Sequence, residues 1–468
     1  MEKSLKLLIL ALLFFLPLNI FAQRQKVDLI ISGGTIVTMN KAMDVINNGS
    51  VAVGGNKIVA IGTEKDIARR YSARNVINAN GKAVIPGLIN THTHIPMTLF
   101  RGIADDMDLQ EWLTKYIFPA EAKNVDENLV RIGTRLGLAE MIRGGTTTYC
   151  DMYYFEGAIA DESVKAGVRG VLGQTLIDFP APDYKTFDVA LSGTEKYIKA
   201  WDKDSLVTPA VAPHAPYTVS EEHLKQASAL ARKYDVPLVM HIAEAKTETE
   251  YTLEKKGMRP VEYVASIGFF TDKTVVAHAI HVNDKEIEIL KNADVGVAHN
   301  PQSNMKLAAG VAPITKMLAS NLRLGLGTDS AASNNDLNMF EEMDTAAKLQ
   351  KVFTGDPKAA PATDMLMMAT IGGARVLHME DKIGSIEAGK LADVVVVDLN
   401  GFNQIPMYNI YSELVYATKA SDVNTVVING RVVMRARRLL SLNEIKIRRD
   451  ATLMRNKIVS SFGSNFAN

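Results

Sequence analysis

Apolar and polar positions alternate along this chain in two different rhythms. From residue 26 to 85 the rhythm has a period of two. "VDLIISGGTIVTMN", "GSVAVGGNKIVAIG" and "NVINANGKAVIPG" are β-branched runs broken by Gly-Gly, Asn-Lys and Asn-Gly. Such runs predict strands joined as hairpins. The same rhythm returns over 382–440, in "GSIEAGKLADVVVVDLN" and "VNTVVINGRVVMRAR". Between them, over 86–381, short apolar runs alternate with amphipathic stretches such as "SEEHLKQASALARKYD". That is the pattern of βα units on a parallel sheet. Eight strand-like runs can be read in order: "KAVIPGLINTHTH", "GTTTYCDM", "GVRGVLGQTLID", "LVTPAVAPHAPYT", "VPLVMHIAE", "TVVAHAIHV", "DVGVAHNPQSN" and "RLGLGTDSAAS". Eight βα units predict an α/β fold, a (β/α)8 TIM barrel, with reactive groups at the C-terminal strand ends. The flanking β segments, 26–85 and 382–440, predict one small composite β-sandwich domain. Residues 441–468 predict a helical tail.

The polar residues fall at the ends of these strands. The first ends in His92 and His94, the fourth in His214, and the fifth in His241 and Glu244. The sixth carries His278 and His281, the seventh His299, and the eighth ends in Asp329. His223 and His378 lie in helical stretches and read as structural. A single histidine at a strand end is commonly structural. Strand ends of one barrel converge on one mouth, however, and so many together point to a site.

Residues i and i+2 of a strand point the same way, so His92 and His94 can both face the barrel axis, roughly 6–7 Å apart along the backbone. Two imidazoles so placed suit one metal, with His241 and Asp329 able to supply a third nitrogen and an oxygen. Three histidines, one aspartate and an open position suit one divalent ion, Zn²⁺ first and Fe²⁺ second. Such an ion lowers the pKa of a bound water toward about 7. Asp329 can then accept a proton, His278 can orient the water, and Glu244 can carry a proton to the substrate.

The N-terminus differs from the rest. Lys3 and Lys6 precede an apolar run, Leu7 to Leu16, then Pro17 and "NIFAQ". This is the pattern of a signal peptide over residues 1–22, cut near Ala22–Gln23, and predicts an exported, periplasmic or secreted protein with no stable membrane contact afterwards. Lys+Arg and Asp+Glu balance at 52 each, which leaves no basic footprint for nucleic acid. Cys150 is the only cysteine, so no internal disulfide can form, and its strand setting reads as a small buried hydrophobe.

"PGLINTHTH", "VMHIAE", "AHAIHV", "HNPQSNMKLAAGVAP" and "GTDSAASNNDLNMFEEM", in this order, resemble the amidohydrolase superfamily. The resemblance extends over nearly the whole mature chain. Within the superfamily they are similar to the branch of S-adenosylhomocysteine/5′-methylthioadenosine deaminases and chlorohydrolase-like enzymes. The resemblance implies His92, His94, His241 and Asp329 as metal ligands and His278 as the histidine at the catalytic water. It implies Glu244 as the proton shuttle to the purine ring, His214 as a substrate contact, and Glu121, in "IFPAEAK", as the ribose-binding carboxylate. It implies a hydrolytic deaminase of an adenine-type nucleoside or related heterocycle, and a possible homodimer or higher oligomer. Guanine, cytosine or pterin deamination and triazine-type chlorohydrolysis are the alternatives within the superfamily. A catalytically silent ligand-binding barrel is the alternative outside it. Two positions depart from the pattern. Gln174 stands in the substrate-binding position at the end of the third strand, where nucleoside deaminases carry an arginine; it lacks the fixed charge that would hold an amino-acid-bearing substrate. Ser330 stands after Asp329, where glycine is common.

Overall fold

The computed structural model describes residues 24–462. The expected export segment and the end of the expected tail, 463–468, lie outside the described residues. Five strands come first: β1 (Gln25–Val37), β2 (Val45–Gly54), β3 (Lys57–Thr63), β4 (Tyr71–Asn78) and β5 (Lys82–Pro86). Eight follow, separated by helices: β6 (Leu88–Thr93), β7 (Thr146–Tyr153), β8 (Arg169–Leu176), β9 (Val207–Pro213), β10 (Leu238–Ile242), β11 (Thr274–His278), β12 (Gly296–His299) and β13 (Arg323–Leu326). Each falls within one of the eight runs read from the sequence, save that β7 runs one residue further, to Tyr153. The last four are β14 (Val394–Asp398), β15 (Val423–Ile428), β16 (Arg431–Arg435) and β17 (Arg438–Leu439).

β6 to β13 form one parallel sheet, each strand beside its sequence neighbour. Burial on both faces suits a parallel sheet, and every residue of β6, β7 and β8 is buried. The gap between β13 and β6 is bridged by polar groups. Thr91 Oγ1 donates to Leu326 O at 2.8 Å, Asn90 Nδ2 to Thr328 Oγ1 at 2.7 Å, and the Asp329 N–H to His92 O at 3.0 Å. The bonds that bring the first and eighth strands together therefore also place Asp329 beside His92.

The segments from the two ends of the chain form one nine-stranded mixed sheet, in which β14 pairs antiparallel with β5 and β5 parallel with β1. Its period of two serves two cores. Val84, Val394 and Val396 join Leu29 and Ile31 in the small domain's own core, while Ala83, Ile85, Val395 and Val397 pack into the barrel's. The chain crosses from this sheet into the barrel at Gly87. A Cβ there would lie 2.0 Å from Thr147 Oγ1, so only glycine lets β5 run directly into β6. Arg169, at the start of β8, pairs with Asp393 at 3.1 Å, and both side chains are buried between the two units. Cys150 is buried and free. No helix among the described residues is long and apolar enough to cross a membrane.

Candidate active site

The strand exits converge. His92 and His94 leave β6 with ring centroids 4.9 Å apart, and His241, at the end of β10, lies 4.9 Å from His92 and 5.2 Å from His94. Asp329 Oδ1 is 3.5 Å from His92 Nε2 and 3.3 Å from His94 Nε2. Nitrogens of His92, His94 and His241 all fall within 4.8 Å of one another, and His92, His278 and Asp329 form a second such set. Both ring nitrogens of His92 are buried without a hydrogen-bond partner. Buried polar atoms are nearly always paired, so this orphaned imidazole marks a place where a cation would complete the bonding. The donors fit a divalent metal.

The outer atoms of the set are fixed by the protein. His94 Nδ1–H donates to Met152 O at 2.5 Å and His241 Nδ1–H to His214 O at 2.9 Å. Each bond sets the tautomer and leaves Nε2 free to face the centre. Asp329 Oδ2 accepts from Ser303 Oγ at 2.6 Å and Ser333 Oγ at 2.9 Å, which leaves Oδ1 toward the histidines. The backbone is bent to this purpose. Ala243, His278 and Asp329 have φ of 51°, 74° and 59°, a left-handed conformation that costs a non-glycine residue on the order of 1–3 kcal/mol and clusters at functional sites. Burial drives the His92 imidazolium down to about 4. Burial acts on His94 in the same sense, but the Asp329 carboxylate outweighs it and lifts that imidazole to about 9. Asp329, although buried, is held well below the usual carboxylate range by the His92 and His94 imidazoles beside it.

The set opens into a pocket with about 580 Å³ between its atoms. His214, Glu121, Glu244 and His278 line it with an apolar wall that includes Met97, Trp112, Leu113 and Phe118. Glu244 is buried, its Oε1 is 3.6 Å from His278 Nε2, and burial raises its pKa. His278 Nδ1–H donates to Asn304 Oδ1 at 2.9 Å, which turns Nε2 toward the pocket. Burial, then the neighbouring His94 and His92, lowers His214 to about 3, so it stands as a neutral imidazole. Glu121 lies buried on helix Phe118–Asn124; Tyr153 OH donates to it at 2.6 Å, and burial raises it to about 7.

Gln174 does not reach this pocket. It alternates with Thr175, which does, and its Nε2 donates at 2.8 Å to Asp183 on the far side of β8. The structure thus places Gln174, expected as a substrate contact, outside the pocket lining and in a bond that ties down the loop after β8. Ser330 is buried, its hydroxyl 3.0 Å from that of Ser333, behind Asp329 rather than at the mouth. His281 donates Nε2–H to Ala309 O, away from the site, and His299 is buried outside the pocket lining. His223 stacks on Phe187 and pairs with Asp178. Sequence reasoning missed Ser303, Asn304, Ser333 and Trp112. The first two follow His299 in "HNPQSN", on the helix Pro301–Lys306 that starts at the exit of β12, and no periodicity marks them.

Fold and site together define a TIM-barrel protein of hydrolase type, with a cluster of three histidines and an aspartate at the C-terminal mouth that fits a divalent metal, and a glutamate in the same pocket. Residues 83–433 match the Amidohydrolase family, and the chain belongs to it. It is 46% identical over 420 residues to 5-methylthioadenosine/S-adenosylhomocysteine deaminase 1 of Syntrophus aciditrophicus, covering 90% of this chain and 95% of that one. It is also 46% identical over 418 residues to the 5-methylthioadenosine/S-adenosylhomocysteine deaminase of Syntrophobacter fumaroxidans, covering 89% of this chain and 95% of that one. An adenosine deaminase from Xanthomonas campestris with bound zinc superposes with a TM-score of 0.92 at 36% identity, over 93% of this chain and all of that one.

Proposed function

We propose that this chain is a divalent-metal-dependent aminohydrolase that removes the amino group from the adenine ring of a nucleoside, with zinc as the metal. The observation that carries the reading is the grouping of His92, His94 and His241 at the strand exits with Asp329 Oδ1 3.5 and 3.3 Å from His92 and His94, in one pocket with His278 and Glu244. The named relatives support the adenine nucleoside as the substrate class. A zinc ion held by the three Nε2 atoms and Asp329 Oδ1 would acidify a water molecule so that hydroxide is available near neutral pH.

The chain's own residues supply the rest. Asp329 Oδ1 accepts the proton that the water gives up, and its second oxygen stays fixed by Ser303 and Ser333. His278 Nε2 faces the same water and orients it toward the ring carbon that bears the amino group. Glu244, whose pKa burial raises, donates a proton to the adjacent ring nitrogen, so the developing negative charge never resides on the ring. The proton held by Asp329 then passes to the amino group, which leaves as ammonia, and the hydroxyl proton returns to Glu244 as the ring carbonyl forms. His214 is neutral and can exchange a hydrogen bond with the ring, while Glu121 lines the same pocket and can accept from the sugar hydroxyls. The apolar wall excludes bulk water and strengthens these interactions.

The test is ammonia release from zinc-loaded protein offered adenosine, 5′-methylthioadenosine, guanine, cytosine and a chlorotriazine. Turnover of adenine nucleosides well ahead of the other rings is expected. Preference for another ring, or bound zinc with no release from any, would overturn the proposal.

A further inference from the structure

Beside the candidate pocket lies a second cavity, with about 730 Å³ between its atoms, that shares the walls Phe118, Glu121 and Tyr154. An aromatic line joins the two. His214 in the inner pocket is 6.5 Å from Phe118, and Phe118 meets Phe179 of the outer cavity edge to face at 5.5 Å. The outer cavity is completed by the loop after β8, including Pro180 and Lys185.

The two spaces differ in charge. No lysine or arginine lines the inner pocket. The outer cavity has one cation, Lys185. Its ammonium gives one hydrogen bond, to Ala181 O at 2.8 Å, and enters no ion pair among the described residues. An ammonium has three donors, so two remain for a ligand. The loop that carries it is fixed from behind. Gln174 Nε2 donates to Asp183 Oδ2 at 2.8 Å, and the same oxygen accepts the Phe155 N–H at 2.9 Å. Gln174 thus sets where the loop stands without touching the pocket.

We propose that the outer cavity receives a substituent carried on the 5′ carbon of the nucleoside, and that Lys185 binds a carboxylate at the end of that substituent. The proposal rests on the adenine-nucleoside reading of the inner pocket. With the ring at the metal end, the far end of the ligand passes the shared wall at Glu121. A thioether chain would lie against Phe118 and Phe179, and its anionic end would find Lys185 as the cavity's cation. The charge expected of strand three is then supplied from the loop after it.

The test compares kcat/KM for S-adenosylhomocysteine and 5′-methylthioadenosine in the native chain, Lys185→Met and Lys185→Arg. Lys185 is exposed, so both variants should keep the native circular dichroism. Lys185→Met should lower kcat/KM for S-adenosylhomocysteine about tenfold, mainly through KM, as expected for loss of a hydrogen-bonded charge pair near solvent. It should change kcat/KM for 5′-methylthioadenosine by less than about twofold, which is within the effect of an ordinary surface substitution. Lys185→Arg should retain most of the native rate with S-adenosylhomocysteine. Equal effects on both substrates, no effect on S-adenosylhomocysteine, or its rejection by the native chain would overturn the subsite. Failure of the native chain to deaminate either nucleoside would instead overturn the reading of the inner pocket, and the subsite with it.

Discussion

Glu244 shows how a single residue can carry a chemical role that its type alone does not announce. An exposed glutamate is ionised at neutral pH and cannot donate a proton. Here burial opposes ionisation, Asp329 opposes it further, and the facing His278 only partly offsets them. The folded-state pKa therefore lies above the ordinary value, and the protonated form persists to higher pH. If Glu244 is the donor, activity should be retained through the range where free glutamate loses its proton, and fall as pH rises through the raised value. Glu244→Gln keeps the shape but removes the transferable proton. It should cost kcat about 10²- to 10⁴-fold and abolish that alkaline limb, while bound zinc stays at the native stoichiometry. A rate within about threefold of native would place the proton elsewhere, given the usual weight of such a group. Glu244 was legible from its spacing after His241. Asn304, which turns His278, was not, because a second-layer partner is defined by contact and leaves no period in the sequence.

Among the elements, β8 links two parts of the fold. Its exit loop builds the outer cavity, and its entrance carries Arg169 into a buried pair with Asp393 on the approach to β14. Arg169 also donates to Ser205 O at 3.0 Å, and Asp393 accepts the Asn429 N–H, so further bonds hold both groups in place. Removing one partner strands the other as an unpaired charge in a place water does not reach. Asp393→Ala should destabilise the protein by about 3–5 kcal/mol, the range for a broken buried pair. The denaturant midpoint measures this, and a loss below about 1 kcal/mol, the ordinary value for a surface pair, would show that solvent reaches the site. The strands themselves were readable because apolar runs between amphipathic helices have few other solutions. The pairing of β14 with β5 was not, since two valine-rich strands can register against many partners. Only the shared burial of alternate residues on two cores selects this one.

Taken as a whole, the molecule holds its reactive groups in place before any ion arrives. Asp329 is tied to His92 by the bond that helps close the barrel, His94 is tied to β7 through Met152, and His241 to the exit of β9 through His214. The histidine pattern made the convergence legible, because eight parallel strands have only one C-terminal mouth. The inward displacement of Ser303 and Ser333 was not legible, since it depends on how the last two strand exits turn. This preformed frame sets the response to metal removal. In small domains whose ligands gather only around the ion, chelation unfolds the chain. Here the ligands are anchored by bonds that do not involve the ion, so chelation should abolish ammonia release while leaving the far-ultraviolet circular dichroism native. The thermal midpoint should still fall, because an ion that binds only the folded state adds about 4 kcal/mol when present at a thousand times its Kd. Adding back one equivalent of zinc should restore both activity and midpoint. Loss of the helical signal on chelation would mean that the ion, and not the bridge between β6 and β13, holds the barrel's last strand to its first.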